Sequence, residues 1–334
     1  GNYNKSDTLP STGYTLNASK SVCSDNATPT WEDNRLYINN LTKKGTSCYL
    51  YFDKKPMAMN TILADNPIID DSRKNGITGP LTENTTGTLY TAEDDLGTSY
   101  VFAGDVDNNW VQFAGFYWRI IRINGDSSIR MIYSGDSSSG PVETGEATQI
   151  GTSAFNEQMY DNAYVGYMYG TPGSDTYEET HANINDSTIK TVLDTWYQNN
   201  LISYSVYISI EAGFCNDRSV NLTDEVWWDG DTKLGYGTNK TAYGPFGRLY
   251  AIDTWKAIQT PSLRCSQKSD LFTVRESGQG NQALDYPIGL ITADEVVYAG
   301  GFGGSNNTDY YLYTNLNYRT MSPYCHPDSA VFIV

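Results

Sequence analysis

Basic residues are scarce in this chain: 22 Lys and Arg stand against 39 Asp and Glu, for a formal net charge of −17. So acidic a polypeptide repels phosphate backbones and anionic headgroups, which argues against nucleic-acid binding. Long apolar runs are missing too. No stretch reaches the roughly 18 uninterrupted apolar residues of a membrane span, so none is expected in this chain. Histidine occurs only at His181 and His326, and no two cysteines lie two to four residues apart, so a structural zinc site lacks its usual ligand spacing. Charged residues of both signs make up only 18% of the chain. What is plentiful is aromatic: 27 Tyr, 10 Phe and 7 Trp, amid abundant Gly, Asn, Ser and Thr. Aromatics suit a pleated, half-buried surface and small polar residues suit tight turns, so the composition reads as β-rich and extracellular. The 334 residues suffice for two domains with at least one sizeable core.

The five cysteines form two couples by proximity, Cys23 with Cys48 and Cys215 with Cys265, and leave Cys325 over as a small buried hydrophobe. Disulfides are expected for both couples, with buried thiols as the alternative; bridges persist outside the cell. The opening GNYNKSDTLPSTG is polar and has no signal-peptide pattern, so the chain reads either as exported and trimmed or as carrying a tag remnant at Gly1.

Three segments are expected. Residues 1–55 form a small all-β module in which Leu36, Ile38 and Leu41 oppose Cys48, Leu50 and Phe52 across a polar KKGT turn, closed by Cys23–Cys48. Residues 56–87 hold a short helix stopped by Pro67 and then a linker. Residues 88–334 form the main domain. SYVFAG, NNWVQFAG, FYWRIIRING and SSIRMIYSG read as strands, with Phe116 to Ile123 central. YPIGLI, YYLYT and SAVFIV also look strand-like. In DSTIKTVLDTWYQNNL, Ile189, Val192, Leu193, Trp196 and Leu201 recur at helical spacing behind a Ser187 cap. A second helix starts at Thr292, has Glu295 at the capping-box position and ends at Gly300 and Gly301. The plan is α+β: a twisted antiparallel sheet with two helices.

AGFYWRIIRINGDSSIRMIY, DSTIKTVLDTWYQNNL, YISIEAGFCNDRS, YPIGLITADEVVYAGG and YYLYTNLNYRTMSPY follow one another in order. In this the chain resembles a group of uncharacterised exported proteins of Gram-positive anaerobes. Their main domain is similar to the C-type-lectin-like fold of the sulfatase-modifying-factor and variable-protein class. The resemblance spans roughly residues 88–334 and implies that fold, preceded by the small disulfide-closed module. The group's pattern has Trp where this sequence has Arg319, and it continues past the last strand, whereas this sequence stops at Val334. A closing strand is therefore expected either to lie beyond it or to be replaced by a different closure of the sheet.

Several patterns suggest chemistry. Asp105, Asp107 and Asn109 match the first ligands of a calcium loop, but Trp110 and Phe116 occupy the positions that need Gly and Glu, so a turn is expected. No cofactor is assigned; a lectin-like domain leaves calcium open, through scattered loop carboxylates such as Asp224, Glu225, Asp229 and Asp231. Trp227 and Trp228 beside two of these acids are a candidate sugar platform, the alternative being core plugs under a long loop. Cys325 and His326 are adjacent, and adjacent strand residues point to opposite faces, so no catalytic pair is expected. The best recognition surface is the terminal segment. There Tyr311, Tyr313, Tyr318 and Tyr324 alternate with Asn315, Asn317, Arg319 and His326, the mixture of rigid area and adaptable hydrogen bonding that binding surfaces use. In the variable-protein class the corresponding region faces the ligand; an ordinary strand pair with half its tyrosines buried is the competing reading.

The expected function is non-catalytic binding or adhesion by a secreted or cell-surface bacterial protein, its partner a glycan or a protein on a host or microbial surface. The alternatives are a structural subunit of a pilus-like appendage, for which an edge ending in AVFIV would favour strand pairing, and a modifying-factor-like enzyme.

Overall fold

The computed structural model describes residues 4–10, 14–32, 35–54, 57–70, 72–222, 230, 232–251, 254–255, 257–303, 305 and 307–326. The chain divides into two compact units, Gly1–Asp65 and Asn66–Val334.

Among the described residues of the first unit six short strands pair in nested order. The outer pair is β1 (Tyr14–Leu16) with β6 (Phe52–Lys54), the middle pair β2 (Val22–Cys23) with β5 (Cys48–Tyr49), and the inner pair β3 (Thr28–Glu32) with β4 (Arg35–Asn39). Cys23 stands opposite Cys48 in the middle pair, and the two are joined. The expected hairpin across KKGT does not form: β4 returns on β3, and KKGT becomes a loop in which Lys43 Nζ meets Asp25 at 3.0 Å. Alternation pointed to strands at 35–39 and 48–49, but Leu41 and Leu50 fall in no strand and Phe52 begins a separate one; alternation also carries no information about which strand each one pairs with. Cys23, Ala27 and Pro29 are the unit's only buried residues among those described, and Trp31 packs edge-on against Phe52 at 5.0 Å. So thin a core leaves much of the unit's stability to the bridge. Helix α1 (Ala58–Asp65) completes the unit.

The second unit is built on a six-stranded sheet. Its strands are β7 (Ile68–Asp70), β8 (Leu89–Asp94), β9 (Gly97–Val101), β10 (Trp110–Phe113), β11 (Phe116–Ile123) and β12 (Ile129–Asp136). All the pairings are antiparallel except β7 with β8. One edge of β11 pairs with β12; its other edge pairs first with β10 and then with β9. Phe116 to Ile123 is thus central, as its apolar run implies. Residues expected as a linker belong to this unit: β7 joins the sheet, and Ile77, 3% exposed, packs with Ala92 and Val101.

Among the described residues four helices accompany the sheet where two were expected: α2 (Tyr177–Thr180), α3 (Thr188–Asn200), α4 (Gly244–Leu249) and α5 (Ala293–Tyr298). The Ser187 hydroxyl caps α3 by accepting from Lys190 N, and Thr292 with Glu295 closes a full capping box on α5. Helix α4 escaped notice because GPFGRL contains two glycines; complete burial of Phe246 overrides that low propensity. YPIGLI and YYLYT are not strands: each opens in a bend or turn and continues as irregular chain, and SAVFIV lies outside the described residues. Cys215 and Cys265 are joined, and Cys325, outside both bridges, is buried. The result is a mixed helix-and-strand protein with antiparallel sheets and two disulfides.

Buried charge is concentrated in this unit. Arg122 Nη1 lies 2.8 Å from Asp94 Oδ2, and Arg130 Nε lies 2.6 Å from Glu295 Oε1, which Arg122 Nε also approaches at 3.3 Å. Arg218, fully buried, is held by Asp270 at 2.6 Å, and Arg248 bridges Asp217 and Asp294.

Candidate functional site

The site begins with a two-residue turn. Ala114 and Gly115 both adopt left-handed backbone, with φ of 54° and 84°, the geometry of a tight hairpin that matches strand twist. It fixes the β10–β11 register, so Val111 lies opposite Trp118 and Trp110 opposite Arg119. Across the next pairing Tyr133 lies opposite Trp118 and Ile132 opposite Arg119. Because successive strand residues face opposite ways, two rows result: Val111, Trp118 and Tyr133 on one face, Trp110, Arg119 and Ile132 on the other.

The first face carries an aromatic cluster. Helix α3, held by its Ser187 cap, brings Trp196 to within 5.3 Å of Phe116, 6.1 Å of Tyr133 and 6.2 Å of Trp118, ring centre to ring centre. Trp118 Nε1 donates to the Phe113 carbonyl at 3.0 Å, which locks its ring. Trp196, Phe116, Phe113 and Tyr133 remain only partly buried.

The second face carries a different chemistry. The Arg119 guanidinium lies 4.3 Å above the Trp110 ring and 5.3 Å from that of Tyr311, and its Nη2 donates to the Val106 carbonyl. The residue is 5% exposed, has no carboxylate within ion-pair distance among the described residues, and its Nε has no hydrogen-bond partner. Tyr311 is also buried, and its hydroxyl too lacks a partner. Burial lowers the pKa of Arg119 and pushes the Tyr311 phenol far up, so the phenol stays protonated and is a donor at all ordinary pH.

Both faces open on one cavity of about 530 Å³ lined along the whole of residues 128–134. Phe113, Trp118, Tyr133 and Trp196 line it, as do Arg119 and Tyr311. Gly145 N bonds the Thr314 carbonyl at 2.8 Å and ties the loop after β12 to the terminal segment that forms another wall. The volume is that of a small-ligand or short-peptide site.

Of the residues singled out in the sequence, Tyr311, Asn317, Tyr318 and Arg319 line this cavity. The others do not. Tyr313 bonds Asn315 outside it, at 2.9 Å. Tyr324 is packed between Phe246 and Tyr250, 5.4 Å from each ring. His326 is 2% exposed, paired opposite Thr241, and burial lowers its pKa. The terminal segment is therefore not a single alternating surface: its turns send some tyrosines into the core and leave Asn315, Asn317 and Arg319 exposed. Trp227, Trp228, Asp224, Glu225, Asp229 and Asp231 lie outside the described residues. Asn109 is buried and donates to the Ile120 carbonyl at 2.9 Å, a structural task for the DVDNNW turn. His181 is buried with Nε2 2.8 Å from the Gly235 carbonyl, and burial lowers its pKa to about 3, so it is neutral. Among the described residues no three His, Cys, Asp or Glu side chains converge as a metal site, and no helix is long and apolar enough to cross a membrane.

Sequence reasoning missed Arg119, Trp118, Tyr133 and Trp196 as site residues. The available signal was a cation inside an apolar strand, in FYWRIIRI, which asks for a partner.

No protein-family model, curated protein or solved structure matches the chain.

Proposed function

We propose that this is a secreted or cell-surface bacterial protein whose second unit, a C-type-lectin-like domain, binds a glycan or protein ligand without catalysis. The observation that carries the reading is the cavity of about 530 Å³, with partly exposed aromatics on one side and two buried, partnerless donors, Arg119 Nε and the Tyr311 hydroxyl, on the other. Aromatic walls supply contact area at low entropic cost, and unsatisfied buried donors are tolerated where a ligand satisfies them. The four terminal-segment residues on the wall agree with the expectation that this region faces the ligand. Two disulfides and an acidic net charge are compatible with an extracellular setting.

The test is binding to a glycan array and to a random-peptide array by the whole protein and by Trp196→Ala. The reading predicts saturable binding that the substitution weakens about tenfold or more. Silence on both arrays by folded protein, or binding indifferent to Trp196→Ala, overturns it.

A further inference from the structure

We propose that Lys190 and Asp194, one turn apart on α3, condense into an intramolecular amide, with Asp186 as the group that carries the protons.

The sequence sets the three side chains in a row. Asp186, Lys190 and Asp194 stand at i, i+4 spacing, so around α3 they stack on one face. The helix starts at Thr188 behind the Ser187 cap, and Asp186, just before that cap, is fixed opposite Met168 in a two-residue strand pair. Lys190 Nζ lies 2.6 Å from Asp194 Oδ2 and 3.1 Å from Asp186 Oδ2.

Burial sets this lysine apart. Its side chain is 0% exposed, whereas that of Lys43, paired with Asp25, is 70% exposed. Among the described residues it is the one buried lysine; the other buried cations in ion pairs are arginines, whose charge is delocalised and permanent. Asp194 Oδ1 is buried and accepts no hydrogen bond. A buried ion pair with an orphaned carboxylate oxygen keeps part of its desolvation cost, and a neutral amide removes both charges.

Burial raises the pKa of Asp194, toward the protonated acid that an amine attacks. Burial alone lowers that of Lys190, but Asp194 and Asp186 outweigh it and retain the ammonium, so closure is slow. The reactive form is the neutral pair, reached when one proton passes from Nζ to Asp194. The Nζ lone pair then forms a bond to Asp194 Cγ, a second Nζ proton passes through Asp186 to the departing oxygen, and that oxygen leaves as water. Two hydrogens and one oxygen are lost, with no oxidant or reductant. Asp186, with its side chain 41% exposed, gives the protons and the water a way out. The product braces the helix that presents Trp196 to the cavity.

The test is the mass of the whole protein, reduced and denatured. The expected mass is that of the sequence less one water. The deficit maps to the peptide that carries 188–200, in which trypsin does not cleave after Lys190 and an amine-acylating reagent does not label it. Lys190→Met and Asp194→Ala abolish the deficit, a readout that does not require either variant to be stable. Asp186→Asn slows closure about a hundredfold or more, followed by mass after cell-free synthesis. A full wild-type mass overturns the proposal. So does a deficit that leaves Lys190 reactive, which is a succinimide at an aspartate, or one that joins Lys190 to Asp186. Closure of Asp186→Asn at the wild-type rate overturns the role given to Asp186.

Discussion

Arg119 and Arg122 lie three residues apart on β11 and are almost equally buried, at 5% and 7% exposure. Arg122 is met by Asp94 and Glu295; Arg119 is met by two aromatic rings and one carbonyl, and its Nε goes without an acceptor. The difference separates two uses of a buried cation. A guanidinium surrounded by carboxylates is part of the scaffold, because removing either partner strands the other charge in a low-dielectric interior. A guanidinium held by rings and a carbonyl, on which Glu143, Asp107 and Asp105 act only from a distance, has no direct ionic partner among the described residues whose loss would strand a second charge.

The largest effect expected from disturbing this contrast is on the scaffold side. Glu295→Ala leaves both Arg122 and Arg130 short of a carboxylate and removes half of the α5 capping box, so the unfolding free energy should fall by about 3–5 kcal/mol in a denaturant titration. A loss below about 1 kcal/mol would make Arg122 no more structural than Arg119.

Acid provides the same test without mutation. Burial raises the pKa of the Glu295 carboxyl, but Arg130, Arg122 and the Thr292 hydrogen bonds outweigh burial, and the net shift is downward. A carboxyl depressed in the folded state contributes stability that is present above its unfolded pKa, near about 4.3, and lost as pH falls through the folded value. The stability gap between the wild type and Glu295→Gln should therefore narrow below about pH 4.5. A constant gap down to strongly acidic pH contradicts the assignment.

A smaller effect is expected where the aromatic side of the site is anchored. Ser187→Ala removes the α3 cap and should cost about 1 kcal/mol, measured by thermal unfolding, while loosening the helix that presents Trp196. The smallest belongs to Arg119 itself. Arg119→Met trades a buried charge with no ion-pair partner among the described residues for apolar volume and should change stability by about 1 kcal/mol or less, measured by the same titration as Glu295→Ala. A large loss would move Arg119 into the scaffold class.

Much of this was legible in the sequence where the determinants are local. Ser187 and Thr292 announce their helices within four residues, and both bridges followed from cysteine spacing. Strand partners in the first unit were not legible, because alternation in residues 36–41 and 48–52 fits several pairings and only the completed nest selects one. The terminal tyrosines misled for a related reason. Tyr311 packs inward from a turn and Tyr324 from irregular chain, so a period of two in the sequence did not signal a strand. Arg119 and Tyr311 come from distant parts of the chain, and only the β10–β11 turn register and the path of the terminal segment bring them together.

The most direct measurement is a titration of the indole N–H signals by nuclear magnetic resonance, with a glycan or peptide that the arrays identify as ligand. Trp118 and Trp196 lie at the cavity, whereas Trp31 belongs to the first unit and packs on Phe52. The account predicts that the Trp118 and Trp196 signals shift together and saturably while that of Trp31 stays in place. Saturable binding that leaves Trp118 and Trp196 unmoved would contradict it.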